Sequence, residues 1–252
     1  MPIGSLTNRL TFPDPRRADA EGLVAVGGDL SVERLLAAYQ AGIFPWTVDP
    51  ITWWSPDPRG IFDLDRFHVS RSLGRVLRQG RFQISLDRAF PQVMEGCAAP
   101  GPGRRGTWIT PEFITAYTQL HQRGHAHSLE CWQGDRLAGG VYGVAIGGLF
   151  AGESMFHRVS DASKVALFYL IEHLRARGFL LFDIQMVTPI TAQLGATSIS
   201  REDYLTRLAK AVAAKTGEWA IAGETASGGT PRKTGRPEPG QKGSPRSTWL
   251  SL

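Results

Sequence analysis

Apolar positions along this chain alternate between a helical and an extended spacing, and turn residues mark most of the switches. Leu23-Val24-Ala25-Val26 is a short apolar run closed by Gly27 and Gly28. Ser31 then opens a helical spacing through Leu35, Leu36 and Tyr39 that stops at Gly42. His68-Val69-Ser70 leads into a second, basic helix carrying Arg71, Arg75 and Arg78 and ending at Gly80, and residues 82–86 alternate as a strand. Thr110-Pro111-Glu112 starts a third helix, with a cap residue, a proline at the first position and an acid in the first turn. Its inward face is Phe113, Ile114, Tyr117 and Leu120, and it runs to Gly124. Three antiparallel strands follow, at 127–132, 137–145 and 149–156, turning at Gly134-Asp135 and Gly147-Gly148. A helix over 162–177, a strand over 179–184 and a helix capped by Ser200 complete the pattern.

This order predicts an α+β (mixed α/β) protein. The expected division is a small N-terminal domain at 1–63, a larger domain at 64–218 and a disordered basic tail at 219–252. The stretch 42–62, GIFPWTVDPITWWSPDPRGIF, is too rich in proline to predict regular structure and too aromatic for a solvated linker. It reads as a loop packed on the rest of the chain.

Composition narrows the function classes. With 252 residues and 42% hydrophobic content the chain can bury a full core. Of the net charge of +5, three units come from the tail after Ala220 (five Lys/Arg against two Glu), so the body carries only two. Nucleic-acid binding must then rest on local patches such as the Arg71-Arg75-Arg78 helix. Cys97 and Cys131 form neither a disulfide framework nor a metal-spaced pair, and no leader or membrane-length apolar run is evident. A cytoplasmic, membrane-free protein is expected.

The segment Gly139–Gln185 holds the candidate chemistry. Asp183 and Gln185 lie two apart on an apolar strand, so extended geometry puts both side chains on one face. That face would present an acceptor and an amide to a reacting amine; equally, both would serve neighbouring backbone groups. Glu153 ends the glycine-rich hairpin, placed either to orient an ammonium or to pair with an arginine. Gly152-Glu153-Ser154-Met155-Phe156 lacks the second glycine of a nucleophile elbow, which excludes a serine hydrolase of that type. His121, His125 and His127 complete no metal motif, and neither Gly27-Gly28 nor Gly147-Gly148 is a phosphate loop, so no metal and no cofactor are expected. Trp46, Trp53, Trp54 and Trp108, set among Pro, Gly and Arg, suit either core filling or the stacking of unpaired bases.

Taken in order, GLVAVGGDLS, AYQAGIFPW, WWSPDPRG, GTWIT, LHQRGHAHS, GGVYG, GESMFHR, ASK and DIQ followed by LGA and YL resemble the leucyl/phenylalanyl-tRNA–protein transferases over residues 10–208. The resemblance implies a GNAT-like C-terminal domain behind a small N-terminal one. It implies transfer of Leu, Phe or, less well, Met from aminoacyl-tRNA to acceptor proteins with an N-terminal Arg or Lys, which marks them for degradation. It assigns Asp183 and Gln185 to the attack of the acceptor amine, with Asp183 either a base or a positioner and the terminal ribose hydroxyl an alternative proton shuttle. Glu153 would contact the substrate amine, and Trp46 and Trp108 would hold the terminal adenosine. Val141, Phe150 and Phe182 would wall the side-chain pocket, and Arg71, Arg75 and Arg78 would face the tRNA body. Ile190, Gly74 and Val141 depart from the residues usual in the family. The competing expectations are an acyl-CoA-dependent N-acyltransferase and a non-catalytic RNA-binding adaptor. A monomer is the default.

Overall fold

A computed structural model describes residues 4–100 and 107–219. The N-terminal part contains β1 (Gly4–Leu6), β2 (Leu23–Gly27), α1 (Val32–Gln40), β3 (Phe44–Val48) and β4 (Ile51–Trp54). Then come β5 (Arg59–Phe62), α2 (Arg71–Gln79), β6 (Gln83–Leu86), α3 (Phe90–Ala98) and α4 (Pro111–Gln122). The long hairpins β7 (Ala126–Gln133), β8 (Arg136–Ile146) and β9 (Leu149–His157) lead to α5 (Ala162–Ala176) and β10 (Leu181–Gln185). The chain continues with α6 (Pro189–Gln193), β11 (Ala196–Ile199) and α7 (Arg201–Ala213).

The strands form two sheets, ordered β1-β2-β4-β3 and β11-β5-β10-β9-β8-β7-β6. The expected mixed α/β class holds, and the caps act as their residue types predict. The Ser31, Ser70 and Ser200 hydroxyls accept from the backbone N–H groups of Arg34, Leu73 and Asp203. Gly42 and Gly80, with φ of +79° and +59°, end the first two helices in the left-handed region that glycine enters freely.

The stretch 42–62 is not a loop. It forms β3, β4 and β5, because its prolines fall at turns and strand ends while Phe44, Trp53, Ile61 and Phe62 bury as strand residues. The boundary near residue 63 also shifts: β5 pairs with β10 and β11 inside the larger sheet, so the small sheet ends at Trp54. At the other end Trp219, expected to begin the tail, is buried in the core. The rest of the expected tail lies outside the described residues.

Two apolar clusters sandwich the large sheet. One joins Val24, Leu35, Tyr39 and Trp53 of the N-terminal part to Phe90, Phe113, Tyr117 and Tyr142. The other packs α5 through Val165, Leu167, Leu170 and Ile171 against Val141, Phe150 and Phe182. The parallel pair β9 and β10 is in register only over Leu149–Ala151 and Leu181–Asp183, although both strands run further. Beyond that point Gln185 of β10 and Glu153 of β9 join through their side chains.

Candidate active site

One pocket is lined by Phe44, Pro45, Trp46, Trp108, Glu153, Ile184, Gln185 and Met186, enclosing about 30 Å³. That is room for little more than a water, so a larger ligand must seat at its mouth. Trp46 and Trp108, sixty-two residues apart in the chain, meet here. Trp46 is held edge-on to Trp54 with centroids 5.4 Å apart, and Trp108 edge-on to Phe113 at 5.1 Å. Both remain half-exposed, whereas Trp53 is fully buried and donates its indole N–H to the Gly27 carbonyl at 2.8 Å. Adaptable aromatic surface thus separates from core filling within one tryptophan cluster.

Glu153 lies at the floor, 4% exposed. One carboxyl oxygen accepts from the Tyr117 hydroxyl at 3.2 Å, the other from the Gln185 amide at 3.2 Å, and Tyr117 shares a short hydrogen bond with Tyr39. Burial pushes the Glu153 carboxyl up to about 8, with the nearby Asp183 charge acting in the same direction. The tyrosine hydroxyls and the Arg59 charge oppose the rise only in part. Among the described residues no cationic side chain bonds it directly, so burial favours its protonated form.

Asp183 is held by partners that its strand alone does not reveal. A register shift falls between Asp183 and Gln185, and Gln185 adopts φ +56°, a left-handed conformation costly for a side chain of its size. Phe182 and Ile184 both bury in the cluster against α5, which leaves Asp183 and Gln185 to the opposite face. There Gln185 reaches Glu153 and the pocket, while Asp183 is enclosed more deeply. Arg59 grips Asp183 with two bonds, Nε to one oxygen at 2.8 Å and a terminal nitrogen to the other at 2.7 Å. The Tyr204 hydroxyl adds a bond at 2.8 Å and the Gln185 backbone N–H one at 2.9 Å. Two donors on each oxygen fill the acceptor capacity of the carboxylate. Burial acts to lower the Arg59 pKa, but the Asp183 charge overrides it and the guanidinium stays charged. Arg59 also donates to the Gly42 carbonyl at 3.1 Å and lies over the Tyr204 and Phe44 rings. The clasp therefore ties β5, β10, α7 and the α1–β3 turn together.

Val141, Phe150 and Phe182 do not line this pocket. They are buried in the neighbouring cluster, Phe150 edge-on to Phe182 at 5.5 Å. Arg71, Arg75 and Arg78 stand exposed along α2, whose Leu73 and Leu77 bury beneath, and none has an acidic partner among the described residues. His121 and His127 gather with Asp87, not with His125, their nearest donor atoms within 4.8 Å. The facing nitrogens are committed: His127 Nδ1 bonds Asp87 at 2.7 Å and His121 Nδ1 bonds the Ala126 carbonyl at 2.8 Å. That geometry is a clasp within the protein.

The sequence of a leucyl/phenylalanyl-tRNA protein transferase family model matches residues 61–209, and that of the family's N-terminal domain matches residues 28–57. The chain belongs to this family. A leucyl/phenylalanyl-tRNA–protein transferase of Anaeromyxobacter sp. (strain Fw109-5) is 50% identical over 90% of this chain and 100% of its own length. One from Nitratidesulfovibrio vulgaris (strain DP4) is 51% identical over 83% and 92%, and one from Shewanella sp. (strain W3-18-1) is 52% identical over 77% and 84%. The residues that sequence reasoning missed are Arg59, Tyr39, Tyr117 and Tyr204. Arg59 had a visible signal, a lone arginine at the head of the apolar run Ile61-Phe62.

Proposed function

We infer that this chain is an aminoacyltransferase, moving Leu or Phe from aminoacyl-tRNA to the N-terminus of an acceptor protein. The observation that carries this reading, beside family membership, is the convergence of Trp46, Trp108, Glu153 and Gln185 on one pocket. Two half-exposed tryptophans at the mouth suit a terminal adenosine. A glutamic acid and an amide behind them suit an amine. In the reaction the acceptor nitrogen bonds the ester carbonyl carbon, the bond from that carbon to the ribose oxygen breaks, and the proton shed by nitrogen ends on that oxygen. An N-terminal amine titrates near 8, close to Glu153, so proton exchange between them costs little. Alignment of ester and amine supplies the rest.

In this reading Asp183 is a positioning residue, holding Gln185 through its backbone N–H and leaving the proton to Glu153 and the ribose oxygen. Arg71, Arg75 and Arg78 meet the tRNA body. The finer assignments are acceptance of Met, an acceptor beginning with Arg or Lys, a role in marking proteins for degradation, a cytoplasmic location and a monomeric state. Among the described residues no helix is long and apolar enough to cross a membrane, which agrees with that location. The acyl-CoA alternative has no support at the helix following β9. Residues 158–161 contain no glycine and end on Asp161, whose carboxylate lies against Arg81 and Lys164. Transfer of radiolabelled leucine from tRNA to Arg- and Met-initiated peptides tests the reading. Arg-dependent product is expected, and its absence with leucyl- and phenylalanyl-tRNA alike overturns it.

A further inference from the structure

Two tyrosines from different parts of the fold converge on Glu153. Tyr39 lies on the inward face of α1, one turn after Leu35, and Tyr117 on that of α4, between Phe113 and Leu120. Both are buried. Their hydroxyls share a short hydrogen bond, and the Tyr117 hydroxyl donates to one Glu153 oxygen at 3.2 Å. Burial, and after it the Glu153 charge, pushes both hydroxyls well above the ordinary tyrosine range. Each therefore keeps its hydrogen and serves as a donor. With Glu153 ionised, Tyr39 donates to Tyr117 and Tyr117 to the carboxylate, a chain whose members polarise one another in the same direction.

The other groups that face Glu153 do different work. Gln185 of β10 donates to the second oxygen at 3.2 Å. Asp183, on the same strand, favours the protonated form of Glu153, and Arg59 of β5 opposes it from a distance while its own bonds go to Asp183. Tyr142 of β8 stands edge-on to Tyr117 with centroids 5.8 Å apart, and Cys97 of α3 acts on Tyr142 in turn. Tyr142 is as deeply buried as Tyr117, yet its hydroxyl finds no hydrogen-bond partner among the described residues. Of the three tyrosines around the acid, two are bonded into its chain and one is not.

We propose that Tyr39 and Tyr117 are positioning residues for transfer, a buried pair of hydroxyl donors that supports the ionised Glu153 carboxylate and holds it facing Gln185, ready to take the proton of the attacking amine. This rests on the reading of Glu153 as the group that takes that proton. In the step the nitrogen gives its proton to a Glu153 oxygen as it bonds the ester carbon. The proton passes to the ribose oxygen when the ester bond breaks, so Glu153 ends ionised as it began and both tyrosines retain their hydrogens.

The test is the pH profile of single-turnover leucine transfer from leucyl-tRNA to an Arg-initiated peptide, over about pH 6 to 9. The acceptor amine titrates alike in every reaction, so a displacement between proteins belongs to the enzyme. Tyr117→Phe keeps the ring and removes the donor that touches the carboxylate. Its rising limb should move to higher pH by about one unit, as a lost hydrogen bond to a charged group commands, with transfer about tenfold slower near neutrality and recovering at the alkaline end. Tyr39→Phe should move the limb in the same direction by less. Tyr142→Phe, which deletes the unbonded hydroxyl, should leave it in place. Profiles of Tyr117→Phe and Tyr39→Phe that superimpose on the wild type, or that fall equally at every pH, overturn the proposal. If Tyr117→Phe does not fold, Tyr39→Phe decides by the same limb. A Glu153→Gln protein that keeps the wild-type profile overturns the reading of Glu153 and the proposal with it, whereas a wild-type chain that transfers no residue overturns the function itself.

Discussion

Glu153 and Asp183 sit on neighbouring strands, both cut off from water, and they settle the cost of a buried carboxyl in opposite ways. Asp183 meets a guanidinium face to face and fills every acceptor position. Glu153 has only neutral donors, and its carboxyl is pushed up to about 8. The paired acid is locked away from the pocket, and the acid without a direct cation borders it. A carboxyl whose proton is exchangeable near neutrality is useful in chemistry; one saturated by an arginine is useful as a rivet.

The largest expected effect falls on the rivet. Asp183→Ala leaves Arg59 charged and alone in the core, and unfolding titrations should show a loss of about 3–5 kcal/mol. Arg59→Met combined with Asp183→Leu should recover much of that stability while transfer stays impaired, because the Gln185 N–H has lost its acceptor. Full stability with lost turnover in Asp183→Ala would instead make Asp183 the base and erase the contrast.

Glu153→Gln should fold normally and slow transfer by about 100-fold at saturating substrates, the low end for a lost acid–base group. It should also change the pH dependence of stability. The folded protein binds the Glu153 proton more tightly than the unfolded chain, so wild-type stability is full below about 4.5 and declines as pH rises through about 8. The decline is on the order of a few kcal/mol. Glutamine has no proton to lose, so the variant's profile should be flatter over that window. Parallel profiles for the two proteins would mean that Glu153 ionises as an ordinary carboxyl.

Trp46→Ala and Trp108→Ala should each raise KM for aminoacyl-tRNA by about tenfold with a smaller change in kcat, as expected for a lost base-stacking face worth ~1–3 kcal/mol. Equal effects on a minimal aminoacyl-adenosine donor would place the loss at the terminal base. The smallest effect should come from Arg71→Gln, Arg75→Gln and Arg78→Gln. Each reduces the salt dependence of tRNA binding by about one unit of slope at most and leaves stability unchanged.

The helices were legible because their signals are local. Ser31, Ser70 and Ser200 cap where expected, since a cap needs only its own next turn. The strands β3 to β5 were hidden by prolines, whose effect depends on whether a neighbouring strand needs the missing N–H. Asp183 and Gln185 were found, but the partners that separate their roles, Arg59 and Glu153, come from other strands. Trp219 was assigned to the tail on the composition of the residues that follow it, while its own burial depends on Phe150, sixty-nine residues earlier.

By itself the sequence determined the family, the mixed α/β class and the pool of chemical residues, because ordered motifs, periodicity and caps are properties of neighbours along the chain. The tertiary structure decided which acid meets an arginine, which tryptophans face the pocket and what closes over Asp183. Those outcomes depend on desolvation and on partners supplied by distant strands, and no local stretch of sequence contains the groups that fix them.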